Sequence, residues 1–194
     1  MVVMKIADRL LDEDASESER EIVQFGVERL ITLLIGLAVA VIAGILLGEL
    51  PRTLLLLLLL FPLRQYAGGF HLKGKYICAV LSVMVLIGMI LIIKYLPMQR
   101  IISMSAFLLA SLAIVFLAPV GNLNRQLDED EKRVFGNRAK TVWLIETMAF
   151  FILWFLDLPY WYIIPLVSVV LTGLLVTIGF FQQKLHRGEK SEHV

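Results

Sequence analysis

Two side chains able to act as nucleophile and base near neutral pH, the thiol of Cys78 and the imidazole of His71, lie seven residues apart in this chain. Cys78 is the only cysteine, and His71 is the only histidine outside the C-terminal tail. A cysteine attacks as thiolate, and a neighbouring imidazole can take its proton, the arrangement used in cysteine-dependent acyl transfer. The spacing sets a structural condition. On an unbroken helix, positions i and i+7 share a face but stand about 10.5 Å apart along the axis, beyond hydrogen-bond reach. A working pair therefore requires a break. Gly68 and Gly69 supply one candidate and Gly74 another, and a helix starting near residues 74–76 would place Cys78 in its first turn, where the macrodipole favours thiolate. A lone cysteine in an apolar span more commonly serves as a small hydrophobe, and that alternative stays open.

The whole stretch 64–82, RQYAGGFHLKGKYICAVLS, is unusual for a chain this apolar. Arg64 can snorkel to lipid phosphate, or it can hold a substrate carboxylate or polarise a scissile carbonyl. Gln65 could orient His71 or donate to an oxyanion. Lys73 and Lys75 suit interface anchors, and both raise the local positive potential, which favours a thiolate and an anionic peptide. With Gly69, these four side chains form the candidate set for substrate binding or transition-state support. No Asp or Glu lies close in sequence to complete a triad, so a third group would have to come from another span or loop.

The elements that must position this stretch are membrane helices. Hydrophobic residues make up 59% of the 194, against about 45–50% in soluble domains, and mean hydropathy is +0.83. Apolar runs at 30–47, 53–63, 77–93, 101–120, 141–156 and 160–181 predict an all-α polytopic protein with six transmembrane helices. The second run, at 11 residues, would cover only about 16 Å of a core of about 30 Å. It must either continue past Pro62 into Arg64, Gln65 and Tyr66 or end in an irregular element shielded by protein. Residues 1–29 mix charges with a sparse apolar stripe and read as an amphipathic N-terminal segment rather than a cleaved signal. Residues 122–140 form the one long polar loop, with the acidic run 128–131 suited to opening a helix. Three parts follow: an N-terminal segment 1–29, a membrane domain 30–181 and a polar tail 182–194. Lys and Arg number 15 in alternate inter-span segments and 3 in the others. Both termini, and the stretch 64–82 with them, are therefore expected on the cytoplasmic side.

An arginine preceding Gly68-Gly69, a histidine two residues on and a cysteine seven residues after it, with a membrane span following, resembles the accessory gene regulator B family of quorum-sensing membrane peptidases. The six-span layout, Ala118-Pro119, Glu131-Lys132 and Arg138 are similar to the family as well, so the resemblance covers nearly the full chain. It implies an enzyme of the bacterial cell membrane that cuts the C-terminal part of a short peptide pheromone precursor and promotes its cyclisation to a thiolactone or lactone. His71 would be the general base and Cys78 the nucleophile forming an acyl-enzyme thioester. The resemblance also implies a homodimer.

Other classes find less support. One cysteine excludes an intramolecular disulfide and a cysteine-based metal cluster, His186 and His193 lack ligand company, and we expect no metal and no cofactor. A net charge of +1 gives no signal for nucleic acid as a partner; the lipid bilayer is the expected surrounding. A small peptide transporter or export subunit, with the glycine-rich stretch as a gate, is the alternative. The absence of paired, Gly/Pro-broken spans in the two halves argues against it.

Overall fold

The computed structural model describes residues 16–70, 75–96, 99–121 and 128–192. They form six α-helices: α1 Glu17–Leu46, α2 Leu50–Ala67, α3 Lys75–Tyr95, α4 Arg100–Leu117, α5 Glu129–Phe155 and α6 Pro159–Glu192. Among the described residues there is no strand, only a single parallel bridge between Gly68 and Val120. Three helical stretches, Glu17–Leu46, Arg100–Leu117 and Pro159–Leu185, are long and apolar enough to cross a membrane, and Val80–Tyr95 is a shorter apolar helix. With exposed Leu, Ile and Phe side chains along most of them, this is a membrane protein.

Local chemistry explains the helix starts. Ser16 and Glu19 form a reciprocal capping box on α1: Glu19 N donates to Ser16 Oγ at 3.4 Å and Ser16 N to Glu19 Oε2 at 2.9 Å. Asp128 and Glu131 do the same on α5, where Glu131 N donates to Asp128 Oδ1 at 2.7 Å. The acidic run thus complements the positive end of a helix. That helix begins at Glu129, so the polar segment expected as loop to residue 140 is helical from there on. The short apolar run 53–63 lies within an 18-residue helix. It gains length by taking in Arg52 at one end and Arg64, Gln65 and Tyr66 at the other, continuing through Pro62, which is the first of the two options above. Helix α1 runs from Glu17 without a break at residue 30; residues 1–15 lie outside the described residues.

Helix α6 is the centre of the bundle, packing on α4, α2, α5 and α3, while α1 rests on α3 and α2. Its buried face joins two apolar clusters. One unites Leu63, Phe107, Ile114, Phe150, Tyr162, Leu166 and Val169, with the Phe107 and Phe150 rings stacked at 4.0 Å. The other unites Leu56, Met89, Ile93, Ile163, Ile164 and Val167. Near the α1–α2 turn a charged knot is buried. Arg52 pairs with Glu49, donates through Nη1 to Ile93 O at 3.0 Å and lies 3.5 Å from the Tyr160 ring centroid. Lys94 donates to Leu47 O at 2.6 Å. These contacts tie the ends of α1 and α3 and the starts of α2 and α6 together.

A buried ion pair is more harmed by halving than by replacing. Arg52→Ala, which strands Glu49, is expected to lower stability by about 3–5 kcal/mol. The double variant Glu49→Gln/Arg52→Met should lose clearly less. Thermal unfolding in detergent of Arg52→Ala and the double variant checks this; a double variant as unstable as Arg52→Ala would refute it.

Candidate active site

Helix α2 ends at Ala67 and the next three residues leave helical geometry, with Gly68 at φ 69° and Gly69 at φ 114°. Both values favour glycine. Backbone exposed by such a break at a membrane edge must find partners within the protein, and here it does. Val120 N donates to Ala67 O at 3.0 Å, Gly69 N to Val120 O at 3.1 Å and Phe70 N to Leu175 O at 2.9 Å. Arg64 completes the set, its Nη1 donating to Gly68 O and its Nη2 to Phe70 O at 2.7 Å. The segment 68–70 is therefore held from one side by the chain after α4 and from the other by α6.

Close approach explains the glycines as fully as the dihedral angles do. A Cβ at Gly68 would sit 2.0 Å from Val120 O, and one at Gly69 2.7 Å from Leu175 O. On the facing helix, a Cβ at Gly179 would sit 2.7 Å from the Gly69 carbonyl carbon and Phe70 N. Small residues let backbones meet where lipid offers no driving force for association. Ala67, Val120, Ala139 and Val176 form a buried apolar plug beside them, and Gln183 Nε2 fastens Gly121 O at 2.6 Å.

Cys78 lies in the first turn of α3, counted from Lys75, and is half-buried. The guanidinium of Arg64 is within electrostatic reach of its sulfur. Cys78 O accepts from Ser82 Oγ at 2.8 Å. On the same helix, Ile77, Val80, Leu81 and Met84 line an open apolar depression of about 350 Å³. Gln65 is exposed and Gly69 buried. His71 and Lys73 lie outside the described residues, as does Gly74; Lys75 opens α3. The structure thus sets Arg64 against Gly69 and within electrostatic reach of Cys78, and provides a non-helical stretch at 68–70 ahead of the helix that carries Cys78.

Several contributors escaped the sequence reading. Val120, Leu175, Gly179 and Gln183 act mainly through backbone or reach across the bundle, and a glycine in the apolar run of the last helix was the one available signal. Tyr66 is another: its ring meets Phe135 of α5 at 6.1 Å and the Arg138 guanidinium at 5.6 Å. The polar part of α5 is in this way a wall of the same region.

A family model, accessory gene regulator B, matches residues 3–179. The chain belongs to the accessory gene regulator B family. Membership ties it to the accessory gene regulator system of quorum sensing. The chain is also similar to AgrB-like protein 2 of Clostridium perfringens (strain 13 / Type A), at 26% identity over 136 residues, covering 66% of this chain and 64% of the relative. No solved structure matches.

Gly68→Ala is expected to displace the 118–121 segment or Gly68 itself, because no rotamer relieves a backbone clash. Arg64→Lys, a single point donor in place of a planar fork, should lose at least one charge-assisted hydrogen bond, worth about 1.5–3 kcal/mol. Gly26→Ala, which meets nothing within 4 Å, serves as the control. Limited proteolysis around residues 64–78 together with thermal unfolding in detergent should show both site variants loosened and the control unchanged.

Proposed function

We propose that this protein is a six-span membrane cysteine endopeptidase that cuts a short peptide precursor on the cytoplasmic side and promotes cyclisation of the product. The observation carrying this reading is the position of Cys78: in the first turn of a helix that follows a clamped, non-helical segment, beside a fixed guanidinium, in a chain of this family. A nucleophile so placed is half-buried at a helix start. The topology is supported by the six helices and by the 15-to-3 asymmetry of Lys and Arg. In this arrangement Cys78 and Arg64 face the cytoplasm and the Arg52 knot the other side.

The chemistry runs in two acyl transfers. His71 takes the Cys78 proton, and the sulfur attacks the scissile carbonyl. The C–N bond breaks as the imidazolium returns its proton to the leaving amine, so the C-terminal part of the precursor departs and the N-terminal part remains as a thioester. A thiol or hydroxyl within the bound peptide then attacks that carbonyl and expels Cys78, closing a thiolactone or lactone. The second step exchanges one activated acyl bond for another, while hydrolysis is strongly downhill, so water has to be kept away. Arg64, already fixed by two carbonyls, supplies a positive charge near the reacting centre without having to be ordered at the moment of reaction.

Cys78→Ala and His71→Ala are each expected to lower precursor cleavage by at least about 10³-fold in a reconstituted bilayer, with peptide binding retained. Mass spectrometry should detect a peptide joined to Cys78 in the wild-type protein. Undiminished cleavage by Cys78→Ala would sink the proposal. For topology, a reporter that matures only in the cytoplasm should be active when fused after Leu185 and silent when inserted at Asp157; the reverse result would refute the orientation.

A further inference from the structure

The interior of α5 holds a carboxyl group that the reaction above leaves unused. Glu146 is fully buried, and among the described residues neither of its carboxyl oxygens has a hydrogen-bond partner. The Ser168 hydroxyl of α6 faces it without reaching hydrogen-bond geometry. Ser168 and, one turn further along α6, Thr172 are themselves fully buried with unpartnered hydroxyls. The surroundings are apolar: Phe150 stands one turn along α5, and Leu166 and Val169 flank Ser168.

The charged groups of the neighbouring helices are engaged elsewhere. On α2, Arg52 pairs with Glu49 and Arg64 holds the carbonyls of Gly68 and Phe70. On α4, Arg100 meets Asp157 at 3.3 Å and Trp154 O at 2.9 Å. On α5 itself Arg138 lies over Tyr66 and Lys140 is exposed. On α6 Lys184 is exposed, and the titratable Tyr162 packs edge-on against Phe150. A carboxylate left bare in such a place is strongly disfavoured, and ionisable groups inside membrane bundles mark ion or proton sites.

We propose that Glu146, with the hydroxyl of Ser168, forms an interior site for one positive charge, either a proton or Na⁺. All the donors are oxygen, the chemistry of hard cations. A proton makes the carboxyl a donor toward Ser168; Na⁺ uses the carboxylate and the Ser168 hydroxyl together. Because Ser168, Leu175 and Gly179 share α6, the site and the clamp on residues 68–70 are parts of one rigid element.

The test uses the full chain in detergent micelles, with thermal unfolding followed from mildly acidic to mildly alkaline pH in choline chloride and in NaCl, for the wild type and Glu146→Gln. If the occupant is a proton, raising the pH in choline lowers the wild-type midpoint by at least about 3 °C more than that of Glu146→Gln. If it is Na⁺, replacing choline by Na⁺ at alkaline pH raises the wild-type midpoint by a similar amount and leaves the variant unmoved. Parallel behaviour of the two proteins in both arms overturns the proposal. Should Glu146→Gln fail to fold, the wild type is treated with dicyclohexylcarbodiimide and mapped by mass spectrometry. Labelling of Glu146 that falls with rising pH or added Na⁺ supports the site. No labelling, or labelling indifferent to both, refutes it.

Discussion

Everything around the candidate active site depends on one constraint: a helix interrupted at a membrane edge has to satisfy its freed backbone groups without water. In this chain the interruption is at residues 68–70. The partners come from three places far apart in sequence, the 118–121 segment, Leu175 of α6 and the side chain of Arg64. Remove any of them and a buried peptide group loses its hydrogen bond, which costs more than the bond itself contributes when made. The break is thereby a built feature of the bundle, and it is what allows a new helix to start at Lys75 with Cys78 in its first turn.

The same constraint gives Arg64 a double character. Its guanidinium holds two carbonyls of the segment that follows its own helix and also lies within electrostatic reach of Cys78. Sequence reasoning offered lipid anchoring or substrate contact for this residue. The structure adds a third role, organisation of the backbone, which demands a rigid fork of donors and hence arginine rather than lysine. In the proposed reaction the two roles reinforce one another, since a charge already fixed by the fold needs no reorganisation when charge develops on the substrate.

The two ends of the bundle are built differently. At the end carrying residues 68–70, backbone-to-backbone contacts and glycines dominate. At the other, Glu49, Arg52, Lys94 and Tyr160 form a charged and aromatic knot that ties four helices. Between them the interior is apolar, with stacked Phe107 and Phe150, and with Glu146 as its one charged-type side chain among the described buried residues there. The start of α3 carries an open apolar depression along Ile77, Val80, Leu81 and Met84.

Much of this was legible from residues alone, because membrane chemistry writes itself into composition. Apolar runs located the helices, the acidic run 128–131 announced a helix start, and the distance rule for i and i+7 called for a break between His71 and Cys78, with Gly74 and the Gly68-Gly69 pair as the two candidates. Borders were less legible where helix outlasts hydrophobicity, as in α2, which runs through Pro62 to Ala67, and in α5, which starts twelve residues before its apolar part. What only the tertiary structure decided is which backbones meet. No residue type announces that Val120 and Leu175 offer their carbonyls to residues 69 and 70, that Gly179 is small because Gly69 and Phe70 pass over it, or that Glu146 faces Ser168 in the interior. Those contacts join points some 20 to 110 residues apart in the chain, and local periodicity carries no information about partners so distant.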